Sequence, residues 1–389
     1  MEYRPKCHGK TIFITANDAW NTEANNSMQF TQDKWQKIKY DAALWWAGQL
    51  GRPLIQVRLE GKQPDRPESK YPAYPFTSFY DFSVGPDEII DAWDYQLCCT
   101  EYLGDAFPVV VPNFGPGVIA AYMGACLQNG SDTVWFHPEK ELELSGLNFE
   151  YLPNNKWLLR TKQILHAAVN RWQGGVQIAM TDLGGNMDIL SVFRPSEKLL
   201  LDLFDNADKV EQLNWQGHKL WWRYFDEFNA ITVSGNPGYS SWARIFSETS
   251  HYMLQCDFCY MIGPKMFDRF VKPELVATSE KMSNAFYHLD GPGQLCHLES
   301  LLEIETIKGI QWVPGAGQPD ASQWPHVYRK ITNAGKLIHI ASGMAEDPFT
   351  LVDAIAQQTG RADNIVYHFD GSVSQIDRVM QLLETYHCD

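Results

Sequence analysis

Two stretches of the chain share one phrase: AFYHLDG at residues 285–291 and NIVYHFDG at 364–371. Each is a short apolar run that ends in His-x-Asp and a glycine, the composition of a strand and its turn. In an extended chain residues i and i+2 point to one side. His288 therefore shares a face with Asp290, and His368 with Asp370. Six further runs of the same kind lie upstream and between: PLIQVRLE (53–60), FPVVVPN (107–113), VQIAMTD (176–182), YMLQCD (252–257), GIQWVPG (309–315) and LIHIAS (337–342). Helical patterns alternate with them at 86–99, 116–127, 196–228, 264–282, 296–306, 321–334, 347–359 and 372–387. Proline stands near several helix starts, as at Pro116, Pro264 and Pro348.

Strands that alternate with helices imply parallel pairing through crossovers. Their continuous apolar character suits a sheet covered on both faces. Eight such strands fit a (β/α)8 TIM barrel, for which about 250 residues is usual. The 389 residues then divide into an N-terminal helical cap (1–52) and a barrel (53–389) with insertions at 128–175 and 229–251. A doubly wound open sheet is the competing arrangement. Within the cap, TIFITA (11–16) reads as a short strand. Residues 32–50 read as an amphipathic helix with Trp35, Ile38, Ala42, Trp45 and Trp46 toward one side and Gly51 as its stop. The stretch 61–75, with four prolines and five charges, reads as a surface loop.

The formal charge of −15 argues against nonspecific nucleic-acid binding and against docking on anionic membranes. A hydrophobic fraction of 44% excludes wholesale disorder, and 14 tryptophans leave aromatics to line a cleft. No apolar run reaches the roughly 18–20 residues of a membrane span. No secretory signal is visible near the start, so the eight cysteines are read as reduced thiols and the location as cytoplasmic.

In a barrel the chemistry gathers at the C-terminal strand ends. Those ends carry Arg58 and Glu60, Asn113, Thr181-Asp182, Cys256-Asp257, His288 with Asp290, Trp312, His339, and His368 with Asp370. Two imidazoles and two carboxylates make a suitable set for Zn²⁺ or another divalent ion. The plainer reading is that each Asp caps the next helix and each His packs in the core. Cys256 and Cys259 form a single CxxC, too little for a zinc ribbon. They read as packing thiols, with Cys256 as a further metal ligand in the alternative. GPGVIA (115–120), followed by Glu139, matches a weak dinucleotide fingerprint. Pro116 removes a backbone N–H that a phosphate would need. The P-loop, HExxH and GxSxG patterns are absent. Trp45-Trp46 and Trp221-Trp222 read as helix packing.

Three segments carry a family resemblance: TDLGGNMDILSVFRPSEKLLLDLFDNADKV (181–210), CDFCYMIGPKMFDRFVKPEL (256–275) and FYHLDGPGQLCHLESLLEIETIKGIQWVPG (286–315). In this order they resemble the uroporphyrinogen decarboxylase superfamily, over roughly residues 53–387. The resemblance implies a (β/α)8 barrel and one of two activities. One is a cofactor-free decarboxylation. The other is a zinc-dependent methyl transfer between a small substrate and a corrinoid protein, with His-x-Cys closing strand five. Here His288-Leu289-Asp290 stands in place of His-x-Cys. His368 or Asp370 stands where strand eight often offers a Cys. Arg58 is the one arginine at a strand end, which speaks against a polycarboxylated substrate.

The resulting expectation is a metal-dependent methyltransferase that moves a methyl group between a small substrate, such as a methyl ether, and a corrinoid protein. Zn²⁺ would be held by His288 and Asp290 with His368, Asp370 or Cys256. Asp257, Asp182 and His288 would act in catalysis. Arg58, Asn113, Trp312 and His339 would contact substrate. The chain would be a monomer or homodimer, with no nucleic-acid or membrane partner. The alternatives are a metal-free decarboxylase or lyase acting on a small carboxylic acid, and a non-catalytic barrel that binds a small molecule.

Overall fold

A computed structural model describes residues 27–388. The strand expected at 11–16 lies outside these residues. The first element is helix α1 (Gln32–Trp46), where the Thr31 hydroxyl accepts from the Lys34 N–H at 3.3 Å. It buries Trp35, Ile38, Ala42 and Trp45, the spacing of one helical face. The helix stops four residues short of the expected end. The left-handed turn that follows it is at Gly48 (φ 68°), ahead of Gly51.

The remaining elements follow in order: β1 (Leu54–Glu60), α2 (Pro86–Cys98), β2 (Thr100–Gly104), β3 (Val109–Val110), α3 (Ile119–Tyr122), β4 (Cys126–Asn129), β5 (Val134–His137), α4 (Lys156–Trp172), β6 (Gln177–Ile178), α5 (Asn186–Phe193), α6 (Ser196–Asp205), α7 (Ala207–Thr232), β7 (His251–Gln255), α8 (Pro264–Phe270), α9 (Lys272–Ser279), β8 (Asn284–Asp290), α10 (Leu298–Leu302), β9 (Ile307–Val313), α11 (Pro325–Asn333), β10 (Leu337–Ala341), α12 (Leu351–Thr359), β11 (Ile365–Ser372) and α13 (Ile376–Thr385). Two of the helices expected as single rods are split. Asn206 leaves the helical region (φ −134°) between α6 and α7, and Pro273 opens α9 after the break at Val271.

Strands β1, β11, β10, β9, β8 and β7 form one parallel series, and β2 runs antiparallel on the outer edge of β1. Strands β3 and β6 pair with each other, and β4 with β5 makes a separate antiparallel hairpin. The sheet is therefore mixed. Among the described residues no strand ladder joins the β3–β6 pair to the parallel series. Two causes are visible. Pro108 and Pro112 flank β3 and supply no N–H to a ladder. The segment 236–240 occupies the free side of β6: Met180 N–H donates to Ser240 O at 2.9 Å, and the Asn236 side chain bonds both the N–H and the C=O of Ile178.

Alternation along the strands decides what each face does. Ile55, Val57, Leu59, Tyr287, Leu289, Ile310, Trp312, Ile338, Ile340, Tyr367 and Phe369 join the core shared with the helices. The opposite face is apolar at the start of the strands. There Leu54, Met253, Phe286 and Val366 pack with Trp45 of α1. The helix thus covers the N-terminal half of that face. Gly309 permits this layer, because a Cβ there would sit 2.2 Å from the Phe286 ring. Arg52 ties the helix to the sheet: it grips Asp105 with two bonds (2.7 and 2.9 Å) and Asp41 at 3.0 Å, while Asp105 also accepts from Ile55 N–H. No helix is long and apolar enough to cross a membrane among the described residues.

Candidate metal centre

Beyond this apolar layer the same face turns polar, with Gln56, His288, Gln311, His339 and His368, and then Arg58, Gln255, Asp290 and Asp370 near the strand ends. At the end of β8, period-two geometry places His288 beside Asp290, and Gly291 (φ 77°) turns the chain away. Pairing of β7 with β8 sets Gln255 opposite His288, so Asp257, two residues on, reaches the same place. One ligand atom from each of Asp257, His288 and Asp290 lies within 4.8 Å of the others.

Ligand atoms around a tetrahedral Zn²⁺ at about 2.0–2.2 Å sit about 3.3–3.6 Å apart. Side-chain rotation of about an ångström would close the group. One neutral imidazole and two carboxylates leave a fourth position open, the layout of a catalytic rather than a structural site. The donor set fits a divalent ion.

The surroundings prepare these three groups. The His288 Nδ1 bonds the Gln311 amide oxygen, which leaves Nε2 as the ligand nitrogen. Trp242 sets its edge against the His288 ring, centroids 5.3 Å apart. Crowding by protein atoms pushes the Asp257 carboxyl above its ordinary range, opposed by the nearby His288 and reinforced by Asp290. Asp188, in the first turn of α5, accepts from the N–H groups of Asp257 (3.0 Å) and Phe258 (2.7 Å) and so fixes the turn that carries Asp257. Burial, and then the charge of Asp257, raise the Asp188 carboxyl as well. A cavity of about 200 Å³ opens beside Asp257 and Asp188, walled by Trp135, Phe136 and Val192.

Asp182 takes a different part. Its carboxylate accepts from Gly184 N–H (2.9 Å), Gly117 N–H (3.4 Å) and Gln255 Nε2 (3.3 Å), and burial pushes it up to about 7. It staples β6 to the GPGVIA turn. The donors a nucleotide phosphate would need are spent on it, which removes the dinucleotide reading. Gly117 and Gly184 meet there so closely that a Cβ on Gly184 would lie 2.5 Å from the Gly117 Cα.

The other sequence candidates are not at this cluster. Cys256 is buried with Cys259 in the strand–helix core, and burial holds its thiol well above the ordinary value, the state of a packing thiol. His368 is buried against His339 (3.3 Å), and burial lowers both imidazoles, His339 to about 3. Asp370 is shared by Arg58 (2.8 Å) and Arg244 (2.7 Å), the latter held at φ 58°. Arg58 and Asp370 border a separate cavity of about 970 Å³ with Tyr74, Trp93 and Tyr102. Asn113 closes an Asx turn onto Gly115 N–H (3.0 Å) and holds Pro75 O at 3.2 Å. Trp312 is fully buried on the helix side against Trp324.

Gln311, Asp188, Trp242 and Arg244 were not singled out by sequence. For Gln311 a signal existed: it is the polar residue on the His288 face of an apolar strand, one position before Trp312. Trp242 and Asp188 reach the site, and Arg244 reaches Asp370, from an insertion and a helix, and period-two reading of strands has nothing to say about those.

The molecule is thus an α/β protein with a mixed sheet, a helical cap and an Asp/His/Asp group able to hold a metal. No protein-family model matches the sequence, and no curated protein is similar to it in sequence. Its fold is similar to that of a methyltransferase from Methanosarcina mazei, with a TM-score of 0.57 and 12% sequence identity, over 90% of this chain and 99% of that one. At that identity the likeness concerns the fold alone.

Proposed function

We propose that the protein is a metal-dependent methyltransferase built on a (β/α)8 barrel, with a divalent ion, Zn²⁺, held by Asp257, His288 Nε2 and Asp290. The methyl group passes between a small substrate, a methyl ether, and a corrinoid protein. The convergence of these three side chains at neighbouring strand ends carries the reading. The fold likeness supports the class. Bound there, the ion supplies Lewis acidity toward the substrate's ether oxygen, and carboxylate ligands leave it more acidic than thiolates would.

The chain's own residues do the rest. Gln311 orients the His288 ring. Asp188 anchors the Asp257 turn. Trp242 covers His288 on one side and limits the approach of water. Asp257 stands at the edge of the cavity of about 200 Å³. Its carboxyl is raised in the metal-free chain, and an ion bound there would draw it back to the ligating carboxylate. That same raised carboxyl favours one second reading, a metal-free lyase with Asp257 and His288 as acid and base.

Metal analysis of protein purified without chelators separates the two. About one zinc per chain, lost in both His288→Ala and Asp290→Ala, supports the methyltransferase. Methylcobalamin formed from cob(I)alamin and a methyl ether then identifies the reaction. A wild type that binds no added zinc overturns the metal reading and turns the search to small carboxylic acids.

A further inference from the structure

Beyond the contact of Gln311 with His288, three buried polar residues on the same strand face have no part in the chemistry above. Gln311, His339 and His368 are 4%, 2% and 4% exposed. They form an unbroken line with His288. Its Nδ1 meets the Gln311 Oε1, the Gln311 Nε2 meets His339 Nδ1 at 2.6 Å, and His339 Nε2 meets His368 Nδ1 at 3.3 Å. The far nitrogen of His368, Nε2, has no hydrogen-bond partner.

A neutral imidazole has one N–H and one lone pair, and an amide has one donor end and one acceptor end. In such a line the orientation of one member sets all the others. With the Gln311 oxygen toward His288, the His288 hydrogen sits on Nδ1. Gln311 then donates to His339, whose hydrogen sits on Nε2 and is donated to His368. The reversed amide would place the hydrogen of a neutral His288 on Nε2, the nitrogen that the Gln311 bond leaves for a metal. It would also require His339 and His368 to reverse together. Only the observed orientation lets a metal take the His288 Nε2 position without disturbing the buried line.

We propose that Gln311 is the positioning residue of the metal centre: it holds the Nδ1 hydrogen of His288, and His339 with His368 locks Gln311 in that orientation. The inference rests on the metal reading of Asp257, His288 and Asp290.

The test uses the full chain labelled with ¹⁵N, and long-range ¹H–¹⁵N spectra that report which imidazole nitrogens carry hydrogen. The expected wild-type pattern is a hydrogen on His288 Nδ1 and on the Nε2 of both His339 and His368. Zinc affinity is measured in parallel by competition with a chromophoric chelator. Gln311→Leu removes the acceptor and lowers zinc affinity about 10- to 100-fold. Gln311→Glu keeps an acceptor for His288, holds the affinity within about threefold, and moves the His339 hydrogen to Nδ1. This second variant keeps the test alive if the leucine variant does not fold. A wild-type His288 without hydrogen on Nδ1, or wild-type zinc affinity in a folded Gln311→Leu, overturns the proposal. The two readings fail separately. The expected hydrogen pattern without zinc binding sinks the metal reading and leaves the line standing. Zinc bound through His288 Nδ1 does the reverse.

Discussion

Replacing Asp182 by Asn should change how stability depends on pH, and the structure sets the sign. Burial pushes the Asp182 carboxyl from 3.8 up to about 7. Between those values the folded chain holds a proton that the unfolded chain releases. This group therefore stabilises the fold at low pH. That contribution shrinks as pH rises through the window and levels off above about 7. From these two values the loss between pH 6 and pH 9 is roughly 1.4 kcal/mol. Asp182 keeps part of its side chain open to solvent, which screens the ionised form, so the figure is an upper bound. Asn preserves an acceptor oxygen for Gly184, Gly117 and Gln255 and removes the ionisation. Urea unfolding at pH 6 and pH 9, followed by far-UV circular dichroism and tryptophan fluorescence, measures the difference between wild type and Asp182→Asn. Asp188 titrates in both proteins, and the Asp182 charge is a minor cause of its raised value, so its removal shifts the variant in the same direction. The variant should gain on the wild type by about 0.5–1.4 kcal/mol between the two pH values. Parallel pH profiles, or a variant that loses ground at pH 9, would refute the assignment of Asp182 as a buried staple.

Gly309→Ala should cost about 1–3 kcal/mol, because its Cβ would press on the Phe286 ring, and Phe286→Leu in the same chain should recover part of the loss. Additive effects in the double variant would show that the two positions do not touch. Asp105→Ala leaves Arg52 with Asp41 and the Pro53 carbonyl and leaves the Ile55 N–H unpaired, and should cost about 1–3 kcal/mol in urea unfolding. Asp41→Ala, which removes one contact of the same arginine, should cost far less, and equal losses would contradict the geometry. Cys256→Ala should leave zinc stoichiometry unchanged by metal analysis, whereas loss of the metal would put a thiolate back among the ligands.

Much of the architecture could be read before any coordinates. A strand with one face on helices and one on a polar interior writes its register into alternate residues. Phe286, His288 and Asp290 follow that rule, as do Val366, His368 and Asp370. The helix over α1 was equally legible from the spacing of Trp35, Ile38, Ala42 and Trp45. The same rule puts Trp312 on the helix side of β9: odd and even positions face opposite ways, and Gln311 takes the face of His288. The twin phrases misled in one respect. His368-Phe369-Asp370 repeats His288-Leu289-Asp290 in sequence, yet Asp370 is held by Arg58 and Arg244 while His368 is sealed against His339.

What the sequence determined by itself was local: which residues alternate, where chains turn, and which side chains share a strand face. Those properties depend on neighbours two to four positions apart. Which strand ends meet was decided by tertiary structure. Asp257 joins His288 and Asp290 because β7 and β8 are hydrogen-bonded neighbours, whereas β11 is separated from β8 by β9 and β10. The gap at β6 was decided in the same way, since residues 236–240 fill by folding back a place that a strand ladder would otherwise take. Period and propensity act along the chain. Pairing partners are set by the packing of surfaces far apart in sequence, and no stretch read alone contains both of them.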